Sequence, residues 1–162
     1  MQSRLDFSKV SPQAVQAILG LEAHLSRTSI DPSLRNLLKM RASQLNGCAY
    51  CIDMHSKGLR ADGESEQRLY LLDAWREAPF YTERERAALG WIEALTRVAD
   101  DHVPDEVYED ARRHFSEREL VDLAMVAVAI NGWNRLCIAF RSQPGAYQPS
   151  ARRVAEVSGE LR

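Results

Sequence analysis

The sequence predicts an all-α fold of about seven or eight helices, in one domain spanning residues 1–162. Three observations carry this expectation. Apolar residues recur at helical spacing along most of the chain. Helix-start signals precede those runs, at Ser11-Pro12, Asp31-Pro32, Thr82-x-x-Glu85 and Ser116-x-x-Glu119. No stretch shows sustained period-two alternation of β-branched residues. A chain of 162 residues that is 45% apolar and 27% charged has the length and composition to bury a real core.

In chain order, Ser11-Pro12 opens a first helix to about Ser26, with Ala14, Val15, Ile18, Leu21 and Leu25 on its apolar side. Asp31-Pro32 opens a second, whose stripe is Leu34, Leu37, Leu38, Arg41 and Leu45. Arg41 is the odd member: it either lines a pocket with Gln44 or pairs with a carboxylate. Asn46-Gly47 stops this helix, because both residues tolerate a left-handed conformation. A third helix starts at or next to Cys48 and runs to Asp62-Gly63. Cys48, Cys51, Ile52, His55 and Leu59 face inward on it; Asp53, Lys57 and Arg60 face away. Ser65 caps a fourth, carrying Leu69, Leu72 and Trp75 and ending before Pro79. The Thr82 box opens a helix with Ala88, Trp91, Ile92 and Leu95. Val103-Pro104-Asp105 starts a short one with Val107, Ala111 and Phe115. The Ser116 box opens the central helix, Leu120 to about Phe140, and Gln143-Pro144-Gly145 ends it. A last amphipathic piece is expected over about 150–161.

The balance of 21 basic against 23 acidic residues gives a net charge of −2, which implies no pull toward nucleic acid or an anionic membrane. The first residues lack the apolar core of a signal peptide. The most apolar run, Leu120 to Ile130, is too short to span a bilayer. Three cysteines are not a disulfide framework. The expected compartment is therefore a reducing one, the cytoplasm, where a close cysteine pair is catalytic or metal-binding rather than structural.

That pair stands in Asn46-Gly47-Cys48-Ala49-Tyr50-Cys51-Ile52-Asp53-Met54-His55. At about 100° per residue, Cys51 lies roughly 60° round the helix from Cys48, with His55 between them in projection. The first turn of a helix favours the thiolate, and His55 is one turn beyond Cys51. One thiolate would attack an electrophile and the second thiol would resolve the product as a disulfide. With a peroxide, the attacked sulfur becomes a sulfenic acid that its neighbour condenses with. Cys51, nearer His55, takes the attacking role and Cys48 the resolving one.

Competing readings are weaker. Structural zinc needs four ligands, and Cys137 stands alone on an apolar helix. Haem attachment needs histidine directly after the second cysteine, where this chain has Ile52. A thioredoxin-type fold needs strands. Two cysteines and a histidine filling a core by chance is the plain alternative. Tyr50 and Asp53 flank the pair but point off its stripe, as a packed ring and a solvated charge. His24, His102 and His114 carry no partner pattern. Trp75, Trp91 and Trp133 fill core or subunit contacts, and Asn131, Asn134 and Arg135 brace the fold.

The run Leu37-Leu38-Lys39-Met40-Arg41-Ala42-Ser43-Gln44-Leu45 leading into this motif resembles the alkylhydroperoxidase D (AhpD)-like branch of the carboxymuconolactone decarboxylase family. Leu123 to Ile130, followed by Asn131-Gly132-Trp133-Asn134-Arg135, is similar to that branch's second half, and the resemblance covers about residues 30–140. The branch that decarboxylates lactones usually lacks the cysteine pair. The resemblance implies an all-α fold, a trimer or hexamer, and thiol-dependent reduction of hydroperoxides; a protein or small thiol is the expected reductant, and no cofactor or metal is expected. By position it implies Cys51 as the peroxidatic cysteine, Cys48 as its partner and proton donor, and His55 as part of a proton relay. Better-known members begin that relay with a glutamate twelve residues before the first cysteine, where this chain has Asn36. A redox sensor or oligomeric stress scaffold with a switching disulfide is the second reading.

Overall fold

The computed structural model describes residues 2–149. Among them are nine α-helices and no strand. They are α1 (Phe7–Val10), α2 (Pro12–Leu25), α3 (Pro32–Asn46), α4 (Ala49–Ala61), α5 (Glu66–Tyr70), α6 (Glu83–Thr96), α7 (Val98–Asp101), α8 (Asp105–His114) and α9 (Glu117–Phe140). The all-α expectation therefore holds. The amphipathic piece expected at about 150–161 lies outside the described residues.

The helix-start signals work through side-chain oxygens that satisfy first-turn N–H groups. Asp31 Oδ1 accepts from the Ser33 and Leu34 amides at 2.8 and 3.1 Å. Thr82 with Glu85 and Ser116 with Glu119 both form complete capping boxes. Ser11 holds the N-cap position of α2 without a side-chain cap bond, so Pro12 alone marks that start.

Two expectations are corrected in detail. The helix opened by Ser65 does not run on toward Pro79. It ends at Tyr70 and tightens into a 3₁₀ turn, Leu72–Ala74. Residues three apart eclipse in a 3₁₀ turn, so Leu72 and Trp75 enter the core in one row, both buried. The four-residue helices α1 and α7 were not expected, because four residues carry no readable periodicity.

α3 and α9 form the centre. α3 packs on α4, α6 and α9, and α9 also meets α2, α6, α8 and α4. Their shared core includes Leu37, Leu38, Leu123, Val126 and Ile130, each at most 1% exposed. α9 has 24 residues, and its helix continues well beyond the apolar run ending at Ile130. By length and composition alone it could cross a membrane. Here it is the helix around which the others pack, with polar Asn131, Asn134 and Arg135 in its second half.

Candidate active site

The turn between α3 and α4 positions the cysteine pair. Gly47 is left-handed at φ 66° and ψ 31°. The Gly47 amide donates to the Gln44 carbonyl at 3.1 Å, and the Cys48 amide to the Ser43 carbonyl at 3.0 Å. This Schellman closure ends α3 and leaves Cys48 as the N-cap of α4. A polar brace holds the turn against α9. Asn46 Nδ2 donates to Asn131 Oδ1 and Asn134 Oδ1 at 2.9 and 2.8 Å, and buried Asn134 donates to Ser43 Oγ at 3.1 Å. The bracing expected of Asn131 and Asn134 is what these bonds do.

All three cysteines are free thiols, exposed by no more than 5%. The Cys48 and Cys51 sulfurs lie 2.9 Å apart. Cys137 was expected to stand alone, but α9 delivers it to the same place. The three Sγ atoms lie within 4.8 Å of one another. They form a cluster apart from the main core, packed by Phe7 and Tyr50. The three sulfurs are close enough together to hold a metal ion, and no histidine or carboxylate among the described residues joins them.

A cavity of about 590 Å³ opens beside the cluster. Cys51 and Cys137 line it, together with His55, Tyr50, Lys39, Glu22 and Trp133. Cys48 is not among its lining residues and sits behind the other two. Tyr50, expected to point off the stripe, faces this cavity. The N-terminal segment covers one side: the Arg4 amide donates to the Phe140 carbonyl at 3.0 Å, and the Phe7 and Phe140 ring centroids lie 5.8 Å apart.

The electrostatics separate the three thiols. Hydrogen bonds from Cys137 and then Cys51 hold Cys48 far below the ordinary thiol range. Cys51 is pushed up by its bonds to Cys137 and Cys48, and Cys137 by its bond to Cys48. Within the cluster the hydrogen bonding thus favours Cys48 as the first thiol to lose its proton. The cluster's first proton belongs to the group of three.

The His55 imidazole makes no hydrogen bond to another described residue. Burial first, and the nearby Lys39 ammonium second, push its pKa down to about 3, against a smaller upward pull from Cys48. Its imidazole is therefore neutral at ordinary pH. The unfolded chain protonates this histidine near 6.5 and the folded one does not, so its contribution to stability falls as pH drops below that value. NMR titration of the ring is expected to show no protonation between about pH 5 and 8. A midpoint near the free-histidine value would overturn this account.

Lys39 is 6% exposed and ion-paired to Glu22, whose Oε1 also accepts from Trp133 Nε1 at 3.1 Å. Burial lowers the Lys39 pKa against the opposing pull of Glu22. This pair was missed from sequence. One signal was present: Glu22 stands on the apolar stripe of α2, four residues after Ile18 and three before Leu25. Asn36, at the family's relay position, does not line the cavity; its Nδ2 is 3.5 Å from Asp62 Oδ2 at the far end of α4. Arg41 took the carboxylate reading. It bonds Glu93 Oε1 at 2.6 Å, Asp73 and Gln44, away from the cavity. Asp53 is held by Lys57 and the Gly145 amide.

Comparison with known proteins agrees with this architecture. The carboxymuconolactone decarboxylase family model matches residues 12–94. Uncharacterized protein YdfG of Bacillus subtilis is 42% identical over 139 residues, covering 86% of this chain and 95% of its own. A crystal structure of a protein of unknown function from Agrobacterium tumefaciens, named as a candidate antioxidant defence protein AhpD, is 44% identical with a TM-score of 0.87. That match covers 90% of this chain and all of the other. The debrominase Bmp8 shares the fold at a TM-score of 0.73 and 24% identity, over 85% of this chain and 74% of its own.

Proposed function

The chain belongs to the carboxymuconolactone decarboxylase family, in its AhpD-like branch, and we propose that it is a thiol peroxidase that reduces hydroperoxides at Cys51. One observation carries the reading: two sulfurs 2.9 Å apart beside a cavity that Cys51 lines. A hydroperoxide entering the cavity meets Cys51. The Cys51 proton passes to the Cys48 thiolate, and the Cys51 thiolate attacks the terminal peroxide oxygen. The O–O bond breaks, and the departing alkoxide takes the proton back from Cys48. Cys51 is left as sulfenic acid and Cys48 as thiolate. Cys48 then attacks the Cys51 sulfur and expels hydroxide, forming the disulfide. A dithiol, protein or small molecule, returns the pair to the thiol state. Neutral His55 lines the path and can accept or donate a hydrogen bond without adding charge. The relay glutamate has no counterpart at Asn36, so the base in this scheme is the cluster's own thiolate.

We place the chemistry in the cytoplasm, as the cysteine usage suggests, and in a homo-oligomer, a trimer or hexamer, as the family resemblance implies. The test is consumption of cumene hydroperoxide by the full chain with excess dithiothreitol. Many equivalents consumed per chain support the enzyme. Consumption that stops after one equivalent identifies the sensor reading instead. Stoichiometric zinc in the purified protein would overturn both.

A further inference from the structure

We propose that Cys137 is a third redox thiol of this site, able to resolve the Cys51 sulfenic acid in place of Cys48. The inference rests on the peroxidase reading and adds a residue that the two-cysteine motif does not contain. Three observations carry it. The sulfurs of Cys48, Cys51 and Cys137 lie within 4.8 Å of one another, so both neighbours stand beside the Cys51 sulfur. Cys137 lines the same cavity as Cys51, whereas Cys48 does not. Cys137 also comes from α9, not from α4, so it approaches the Cys51 sulfur from a different side than the in-helix partner.

The step balances without a further reagent. Cys51 sulfenic acid and the Cys137 thiol condense to a Cys51–Cys137 disulfide and water. The Cys48 thiolate then attacks the Cys51 sulfur, forms the Cys48–Cys51 disulfide and releases Cys137 as thiolate, which takes up a proton. Oxidising equivalents thus pass from the cavity-facing pair to the pair within the motif. A sulfenic acid flanked by two thiols has two routes away from overoxidation.

The experiment uses the full-length variants Cys48→Ser and Cys48→Ser/Cys137→Ser. Serine is a preferred N-cap residue, so the start of α4 survives the first change, and thermal melting checks the fold of both. Each protein receives one equivalent of cumene hydroperoxide in the presence of dimedone, followed by alkylation and peptide mapping. In Cys48→Ser, both remaining thiols are expected to disappear, with a Cys51–Cys137 cross-linked peptide and no dimedone adduct. In the double variant, Cys51 is expected to carry the adduct. An adduct on Cys51 in both proteins, with no cross-link in the first, overturns the role of Cys137 while leaving Cys51 as the attacking thiol. Because Cys48 also serves as the base, both reactions are run to completion alongside wild type; no oxidation at Cys51 in any of the three proteins overturns the peroxidase reading itself, and Cys137 falls with it.

Discussion

Replacing Cys51 by serine is expected to lower kcat/KM for an organic hydroperoxide by at least about three orders of magnitude, the scale seen when a covalent nucleophile is removed. Two features of the site pull the assignment in opposite directions. Charge favours Cys48, whose pKa the neighbouring thiols push down. Access favours Cys51, which lines the cavity while Cys48 lies behind it. Access decides, because a proton crosses the 2.9 Å between the sulfurs readily, whereas a peroxide oxygen must touch the sulfur it oxidises. A serine hydroxyl there has no oxidation chemistry comparable to sulfenic acid formation, so only background reaction remains. Single-turnover oxidation separates the two thiols. If Cys51→Ser still forms a sulfenic acid, on Cys48, at the wild-type rate, then charge outweighs access and the roles are reversed.

Much of this site was legible because its determinants are local. Asn46-Gly47 predicts a helix stop, the next residue becomes a helix start, and spacing then fixes which side chains share a face. Cys48, Cys51 and His55 follow from that alone. Cys137 does not, since its place beside them depends on how α9 crosses α4, and no pattern within α9 records that crossing. Lys39 and Glu22 were missed for a related reason. Each looks like an ordinary charge on its own helix, and only the packing of α2 and α3 on α9 brings the two together at a cavity. The loss of the relay glutamate was visible at Asn36. What the structure adds is that this asparagine sits with Asp62, and that Lys39 and Cys48 are the charged groups acting on His55.

The largest stability effect is expected at Glu93, remote from the cysteines. Its carboxylate accepts from Arg41 Nε at 2.6 Å and Trp75 Nε1 at 2.8 Å, and pairs with Arg76 at 2.6 Å. Burial works to raise its pKa, but the bonds from Trp75, Arg41 and Arg76 outweigh burial and hold it low. Glu93→Ala leaves the Arg41 guanidinium, whose side chain is 7% exposed, and the buried Trp75 N–H without their main acceptor. Breaking a buried pair from one side costs about 3–5 kcal/mol. Asp73 remains on Arg41 but is 79% exposed, which places the expected loss near the lower end, about 3 kcal/mol. For a chain of this size that corresponds to a fall in Tm of roughly 6–12 °C. Glu93→Gln keeps an acceptor oxygen and should lose less. Arg76→Ala, at a side chain 62% exposed, should cost under about 1 kcal/mol. The pH dependence has a fixed sign. A depressed carboxylate stabilises the fold above its unfolded pKa of 4.5 and loses that contribution as pH falls through the folded value. The difference in stability between wild type and Glu93→Gln should therefore narrow on acidification below about pH 4.5. Denaturant unfolding of the three variants across that range measures both effects, and equal losses for Glu93→Ala and Arg76→Ala would refute the buried network as a stabilising element.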